Sequence, residues 1–188
     1  MSDDALVTTI STERLVLEPW HESVRPDWLE LNADVRVSQW LGIGEPISRE
    51  AAAAEFDWMI DHYRTHGFGW HSVIERETAT WIGAVGLSYL GANPAGLPRE
   101  DIEIGWWLKP ETWGRGIATE AASAAIDDGF TREVTDRIWA RHNRRNPASG
   151  RIMEKIGMTF VRDGSGVHGV PIRIYELRRD QWLASRDN

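Results

Sequence analysis

The sequence predicts one α/β domain of the α+β kind, with a mixed, mostly antiparallel sheet of seven strands flanked by about four helices. Three observations lead there. First, the apolar spacing switches between period 2 and period 3.6 in the order β-α-α-β-β-β-α-β-α-β-β, which combines neighbouring strands with helical crossovers. Second, the chain of 188 residues is 41% apolar and 27% charged, with no internal repeat and no interdomain linker, so it suits a single domain spanning 1–188 with a sizeable core. Third, residues 103–121 read as a strand, a glycine turn and the start of an Ala-rich helix in direct succession.

Taken in order, residues 1–11 read as a frayed end. Arg14 to Pro19 is a short apolar run closed by proline and is the first strand. Pro26 to about Ala33 is a helix with proline near its first turn, and Trp28 and Leu31 face inward. Val35 to Leu41 continues as a helical turn or loop, and 42–48 is loop chemistry. Ser48 is a good N-cap for the next helix, with Glu50 and Glu55 toward its positive end. Phe56, Met59, Ile60 and Tyr63 mark that helix's buried stripe, and Gly67 and Gly69 end it.

Gly69–Glu75 and Trp81–Tyr89 alternate as strands about a turn through 76–79, and 91–98 is a loop. In the next strand Glu103, Gly105 and Trp107 alternate with Ile104, Trp106 and Leu108, and Pro110, which cannot donate to a ladder, stops it. The Ala-rich helix runs from Ile117 to Asp128 with Gly129 as its stop. Arg137–Arg141 is the fifth strand, about Pro147 to Ile156 a short helix stopped by Gly157, and Thr159–Arg162 the sixth strand. A glycine-rich loop over 163–171 leads to the seventh strand, Ile172–Leu177, and the tail through Trp182 packs as a helical turn.

The junction at 113–119 is suited to an anion. The first N–H groups of a helix lack partners within it, its dipole favours negative charge there, and Gly114 and Gly116 let backbone approach a phosphate closely. Arg115 adds a fixed charge with several donors. An ordinary strand-to-helix turn uses the same residues, so the local pattern alone leaves both readings open. It is no P-loop, because no Gly-Lys-Ser/Thr follows, and no dinucleotide fingerprint, because Thr119 stands where the third glycine belongs.

The whole phrase Glu-Ile-Gly-Trp-Trp-Leu-Lys-Pro-Glu-Thr-Trp-Gly-Arg-Gly-Ile-Ala-Thr-Glu-Ala, Glu103 to Ala121, is more specific. It resembles the acetyl-CoA-binding segment of the GNAT superfamily of N-acetyltransferases, in the branch containing ribosomal-protein N-terminal acetyltransferases. Asn146-Pro-Ala-Ser149 followed by Arg151 to Met158 resembles that branch's Asn-x-x-Ser and short helix, and the resemblance covers roughly Thr12 to Trp182. One departure is Trp113, where the superfamily's phosphate loop usually opens with Gln or Arg.

The resemblance implies a fold whose fourth and fifth strands splay apart around pantetheine, and acetyl-CoA as cosubstrate with no metal. It implies that backbone at Trp106, Trp107 and Leu108 pairs with pantetheine, that Trp113, Gly114, Arg115, Gly116, Ile117, Ala118 and Thr119 cradle the pyrophosphate, and that Asn146 and Ser149 also meet the cofactor. Glu103 is the first choice for general base, directly or through water, or else binds the acceptor ammonium. Asp101, two residues earlier, is the reserve. Ser149 matches the branch serine that hydrogen-bonds the CoA sulfur and helps protonate it, although Asn146 or Ser149 can instead cap the short helix. Tyr175 is an alternative acid. Arg144, Arg145, Arg151 and Lys155 are candidates for nucleotide phosphates, against the plainer reading of a solvated face.

The function implied is transfer of acetyl from acetyl-CoA to a primary amine, a protein or peptide N-terminus or a small amine, by direct attack. The chain holds no Cys, in keeping with a reaction that needs no covalent enzyme intermediate, and so has no disulfide framework or Cys zinc site. The alternative is a non-catalytic acyl-CoA-binding or sensing module. An NAD-binding protein is a third reading, disfavoured by the missing glycine.

Charge sharpens the partner classes. The net charge is −8; residues 1–110 hold 18 acids and 8 bases, and residues 111–188 hold 11 acids and 13 bases. An acidic half suits a cationic acceptor and a mildly basic half an anionic cofactor, whereas a nucleic-acid partner does not fit so acidic a chain. The N-terminus lacks signal-peptide features and no apolar run has membrane-spanning length, so a cytoplasmic location away from membrane is expected. The eleven tryptophans are core or pocket packing, with room for an apolar homodimer patch. His62 and His66 lie four apart on a helix without a third ligand and read as surface polarity. His168, in the glycine-rich loop, is a candidate acceptor contact. The loops at 42–48 and 163–171 are the expected specificity walls.

Overall fold

The computed structural model describes residues 9–91 and 93–186; most of the expected frayed end, residues 1–8, lies outside them. The strands are β1 (Ile10–Ser11), β2 (Leu15–Pro19), β3 (Trp70–Glu75), β4 (Thr80–Tyr89), β5 (Ile102–Leu108), β6 (Arg137–Asn143), β7 (Thr159–Ser165) and β8 (Pro171–Arg178). The helices are α1 (Arg25–Ala33), α2 (Val35–Ser38), α3 (Arg49–His66), α4 (Ile117–Thr131), α5 (Pro147–Lys155) and α6 (Arg179–Arg186). Among the described residues these strands join one sheet in the order β1-β2-β3-β4-β5-β6-β8-β7, and only β5–β6 is parallel.

The class is as the sequence predicts, with corrections in detail. Among the described residues there are eight strands rather than seven, because Ile10 and Ser11 pair with Leu17 and Val16, a ladder too short to leave a periodic signal. The described residues hold six helices rather than about four, because the four-residue α2 and the tail α6 are both helical. Gly129 is no helix stop: α4 continues to Thr131, and a Cβ at Gly129 would lie 2.5 Å from Leu87 Cδ1, so this glycine lets the helix settle closely onto β4. Strand β7 runs on to Ser165, which shortens the expected glycine-rich loop.

Each face of the sheet carries its own core. On one face Ile102, Ile104, Leu108, Ile138 and Ala140 pack with Ile117, Ala121, Ala122, Ala125, Ile126 and Phe130 of α4 and with Met153 of α5. On the other face Trp28, Leu31, Val37, Phe56 and Met59 from the three N-terminal helices pack against Trp70, Trp81 and Ala84. Trp28 is fully buried, and its ring N–H donates to the Ala52 carbonyl at 2.9 Å, which joins α1 to α3. Ser48 caps α3 as its residue type predicts, its Oγ accepting from Ala51 N–H at 3.1 Å.

The parting of β5 from β6 positions the site. They pair only at Ile102–Ile138 and Glu103–Trp139. Beyond that, β5 stays paired with β4 as far as Leu108, and β6 with β8 as far as Asn143. The two strands therefore splay, as the resemblance implies, and present facing backbone edges to the space between them.

Packing tolerance at two glycines follows from this geometry. A Cβ on Gly86 would fall on the Trp70 Cα and 2.8 Å from the Gly69 carbonyl oxygen, both rigid backbone. Gly86→Ala should lower stability by about 1–3 kcal/mol. Gly129→Ala should be near neutral, because only a terminal Leu87 methyl must move and helix propensity returns roughly 1 kcal/mol. Urea midpoints of the two variants check the contrast.

Candidate active site

A cavity of about 600 Å³ opens where β5 and β6 separate. Strand alternation divides its lining between the two faces of the sheet. Glu103, Gly105 and Trp107 alternate with the residues buried under α4, so they face the N-terminal helices, as does Arg141, two residues past Trp139. The α4 N-terminus and the first turns of α5 line it from the other face.

At the α4 end, Gly114 (φ 75°) and Gly116 (φ 80°) adopt left-handed backbone that favours glycine, and Gly116 is the N-cap. The helical ladder opens with Glu120 N–H to Gly116 O at 3.1 Å, so the N–H groups of Ile117, Ala118 and Thr119 precede it. These residues line the cavity, with Arg151 and Lys155 from α5. Unspent amide donors, a positive helix end and two cations fit a pyrophosphate. Glu120 braces this helix start: its carboxylate accepts from Thr12 Oγ1 (2.6 Å), Arg14 N–H (2.9 Å) and Arg14 Nε (2.6 Å). Partial burial opposes its charge, but those donors prevail and hold Glu120 below its ordinary range.

Of the cofactor residues expected from sequence, Trp106, Trp107, Leu108, Trp113, Gly114, Gly116, Ile117, Ala118, Thr119, Asn146 and Ser149 all line this cavity. Arg115 does not. Its guanidinium turns to Glu75 at 2.5 Å and borders a separate charged cleft with Glu13, Arg14, Arg76 and Glu77, while its carbonyl accepts from Arg14 Nη1 at 2.8 Å. The charge read as a phosphate ligand is thus neutralised by a strand residue that the sequence order does not bring near. Trp113 anchors the loop by donating from Nε1 to Leu108 O at 2.9 Å.

Glu103 and Ser149 both line the cavity, from opposite faces of the sheet. Asn146 is the α5 N-cap, its Oδ1 accepting from Ser149 N–H at 3.3 Å, which leaves the Ser149 hydroxyl outside the cap. Glu103 has a partner that sequence reasoning missed. Arg141 donates from Nε to Oε1 (2.7 Å) and from Nη2 to Oε2 (2.5 Å), with side-chain exposures of 22% and 21%. Burial works against the Arg141 charge, but the carboxylate prevails and raises its proton affinity. The reserve carboxylate, Asp101, is outside the lining; its Oδ2 accepts from Arg137 Nη2 (2.5 Å) and Trp139 Nε1 (2.7 Å).

Tyr175 lies on β8, one strand in from the edge rather than on it, and is buried outside the lining. Its hydroxyl donates to Glu154 Oε1 at 3.4 Å, and burial followed by Glu154 raises its proton affinity. Of the four candidate phosphate cations, Arg151 and Lys155 line the cavity and Arg144 and Arg145 do not. His168 is exposed outside the lining. Of the two expected specificity walls, the cavity takes Val37, Trp40, Leu41 and Gly42, mostly just before the expected 42–48 loop, and Gly166, Val167 and Val170 from the 163–171 loop.

His62 is not a surface residue. It is buried, with Nδ1 donating to Phe68 O (3.1 Å) and Nε2 accepting from Tyr89 N–H (3.3 Å). Among the described residues there is no cluster able to hold a metal, and no helix is long and apolar enough to cross a membrane. His142 is also buried in the cavity lining, with Nδ1 donating to Asn143 O at 2.8 Å.

The fold and the site define an α/β protein whose sheet opens into a cavity lined by a helix N-terminus on one face and a carboxylate on the other. The Acetyltransferase (GNAT) domain family matches residues 14–159, and the chain belongs to this family of acetyl-CoA-dependent acetyltransferases. Among its relatives, the FsC-acetyl coenzyme A-N(2)-transacetylase of Aspergillus fumigatus is 25% identical over 194 residues, spanning 93% of this chain and 78% of that protein. The uncharacterized N-acetyltransferase YnaD of Bacillus subtilis is 43% identical over 153 residues, spanning 79% of this chain and 81% of that one. The structure of RimL, a ribosomal L7/L12 alpha-N-protein acetyltransferase in complex with coenzyme A, superposes with a TM-score of 0.74 over 93% of this chain and 99% of that chain, at 18% identity, a likeness of fold.

The buried histidines give a pH signature. Burial is the main cause lowering the proton affinity of both His62 and His142. Histidines of the unfolded chain take up protons as pH falls through about 6.5. The folded ones do so only at lower pH, so their contribution is complete above that value and is lost as pH drops below it. Urea midpoints should fall from pH 7 to pH 5, and His62→Gln, which keeps a donor and an acceptor, should make that fall shallower.

Proposed function

We propose that this protein is an N-acetyltransferase that passes the acetyl group of acetyl-CoA to a primary amine by direct attack. The observation that carries the reading is the pairing of a backbone-lined anion cradle at 114–119 with a carboxylate, Glu103, in one cavity through the split sheet. The family supplies the acetyl donor, a thioester, and the residues of this chain supply position and proton handling. The N–H groups of Ile117, Ala118 and Thr119, with Arg151 and Lys155, hold the pyrophosphate. The open edge of β5 over Trp106–Leu108 offers backbone groups to the amides of pantetheine.

Glu103 draws the acceptor ammonium to the mouth of the split and takes its proton, directly or through water. The free amine then forms the new C–N bond as the C–S bond breaks; Ser149, at the first turn of α5, gives its proton to the leaving thiolate, and the second proton shed by the acylated nitrogen restores the hydroxyl. Both relatives named above are described as N-acetyltransferases or transacetylases, which supports nitrogen as the acceptor atom.

The test joins binding to turnover. Saturating acetyl-CoA should stabilise the protein, by roughly 2.7 kcal/mol at a hundred times its dissociation constant, and NAD should not. Glu103→Gln should keep that shift while lowering kcat for amine-dependent thiol release by about 10²–10⁴. Unchanged turnover in Glu103→Gln would remove the base role, and absence of any acetyl-CoA shift would remove the reading as a whole.

A further inference from the structure

The acceptor end of the cavity is not simply acidic. Glu103 meets it already paired with Arg141, and both lie on the face of the sheet away from the α4 N-terminus. A guanidinium carries five N–H donors. Glu103 engages two of them, and the remaining three meet no acceptor among the described residues. Arg141 lines the cavity, whose lining also includes Val37, Trp40, Leu41 and Trp70. The charged lining at this end is one fixed cation beside one carboxylate, set in apolar and aromatic surface.

This arrangement sorts acceptors by charge. An acceptor carrying only an ammonium must share Glu103 with a guanidinium, so cation faces cation, and the spare donors of Arg141 stay unanswered. An acceptor that also carries an anionic group close to its amine completes both ends: its ammonium meets Glu103, and its anionic group accepts the unspent Arg141 donors in the fork geometry that suits a carboxylate. Every partly buried charge then has an opposite partner. Resting on the acetyltransferase reading, we propose that Arg141 is a specificity-determining residue that binds an anionic group of the acceptor. The acceptor class is accordingly a small zwitterion, of which an α-amino acid with an apolar or aromatic side chain is the simplest member. The aromatic and aliphatic wall formed by Trp40, Leu41 and Trp70 fits such a side chain.

Matched probes test this: leucine and phenylalanine, their amides, and the corresponding decarboxylated amines, each assayed by thiol release with acetyl-CoA. An amino-acid amide has the less basic amine and offers more free base at neutral pH, so intrinsic reactivity favours the amide and cannot produce a preference for the acid. The wild-type protein should favour the acid over the amide by at least about tenfold in kcat/KM, the scale of a site built to bond a group that the poorer substrate lacks. Arg141→Gln should bring that ratio close to one, mainly by raising KM for the acid, and Arg141→Lys should restore part of it. The thermal shift with acetyl-CoA, measured on each variant, shows that the fold and cofactor site persist.

Equal use of acid and amide by the wild type would overturn the proposal. So would an Arg141→Gln variant that slows both alike, since that would make Arg141 only a brace for Glu103. Turnover of none of these probes by protein that still takes an acetyl-CoA shift would overturn the zwitterionic class and leave the acetyltransferase reading intact. Loss of the shift itself in the wild type would instead strike that underlying reading.

Discussion

The structure depends on one interrupted ladder. Strands β5 and β6 share only two residue pairs before parting, yet each keeps its other neighbour over its full length. The sheet therefore does not end at this point; it opens within, and backbone that would ordinarily be satisfied by a neighbouring strand borders a cavity instead. The remaining site features are arranged about that opening. The α4 N-terminus and α5 close one face, the N-terminal helices close the other, and the last shared pair, Glu103 with Trp139, stands at the point of divergence. A closed sheet with the same side chains would have a cradle on one face and a carboxylate on the other with no passage between them.

The same opening explains how ion pairs are distributed. Charges close to the split are held by partners from other elements: Glu103 by Arg141, Asp101 by Arg137, Glu120 by Arg14 and Glu75 by Arg115. Three of these four pairs position something besides themselves. Glu120 fixes the start of α4, Asp101 also holds the Trp139 ring, and the Arg115–Glu75 pair turns a side chain of the glycine loop before α4 outward. What the start of α4 presents to the cavity is backbone N–H groups, which point where the chain path directs them and whose dipoles do not depend on a rotamer.

Much of this was legible in the sequence, for reasons that can be stated residue by residue. The alternation through 103–108, the glycines at 114 and 116 and the Asn146–Ser149 spacing are local signals, and local signals determine local conformation: a half-buried strand, a left-handed turn, a capped helix. Arg141 was not legible. It stands in a strand already read as a strand, but its meeting with Glu103 depends on the parallel register of two segments almost forty positions apart, which no local pattern encodes. Arg115 shows the complementary case. Its place between two left-handed glycines is a local matter, but Glu75, forty residues earlier, decides where its charge goes.

Gly129 and His62 teach the same distinction at the level of packing. A glycine after a helical run reads as a stop because left-handed caps favour glycine. Here the glycine sits where the helix comes close to Leu87, a tertiary feature, and the helix runs past it. His62 reads as polar surface because histidine four residues from another on a helix suggests solvent or metal. Its two ring nitrogens instead join the Phe68 carbonyl to the Tyr89 amide, with Nδ1 giving a proton and Nε2 taking one. One neutral tautomer satisfies both bonds, and protonation of Nε2 would set two N–H groups against each other. The ring therefore belongs to the tertiary structure that ties α3 to the end of β4, and its burial, invisible in the spacing of residues 62 and 66, fixes its protonation.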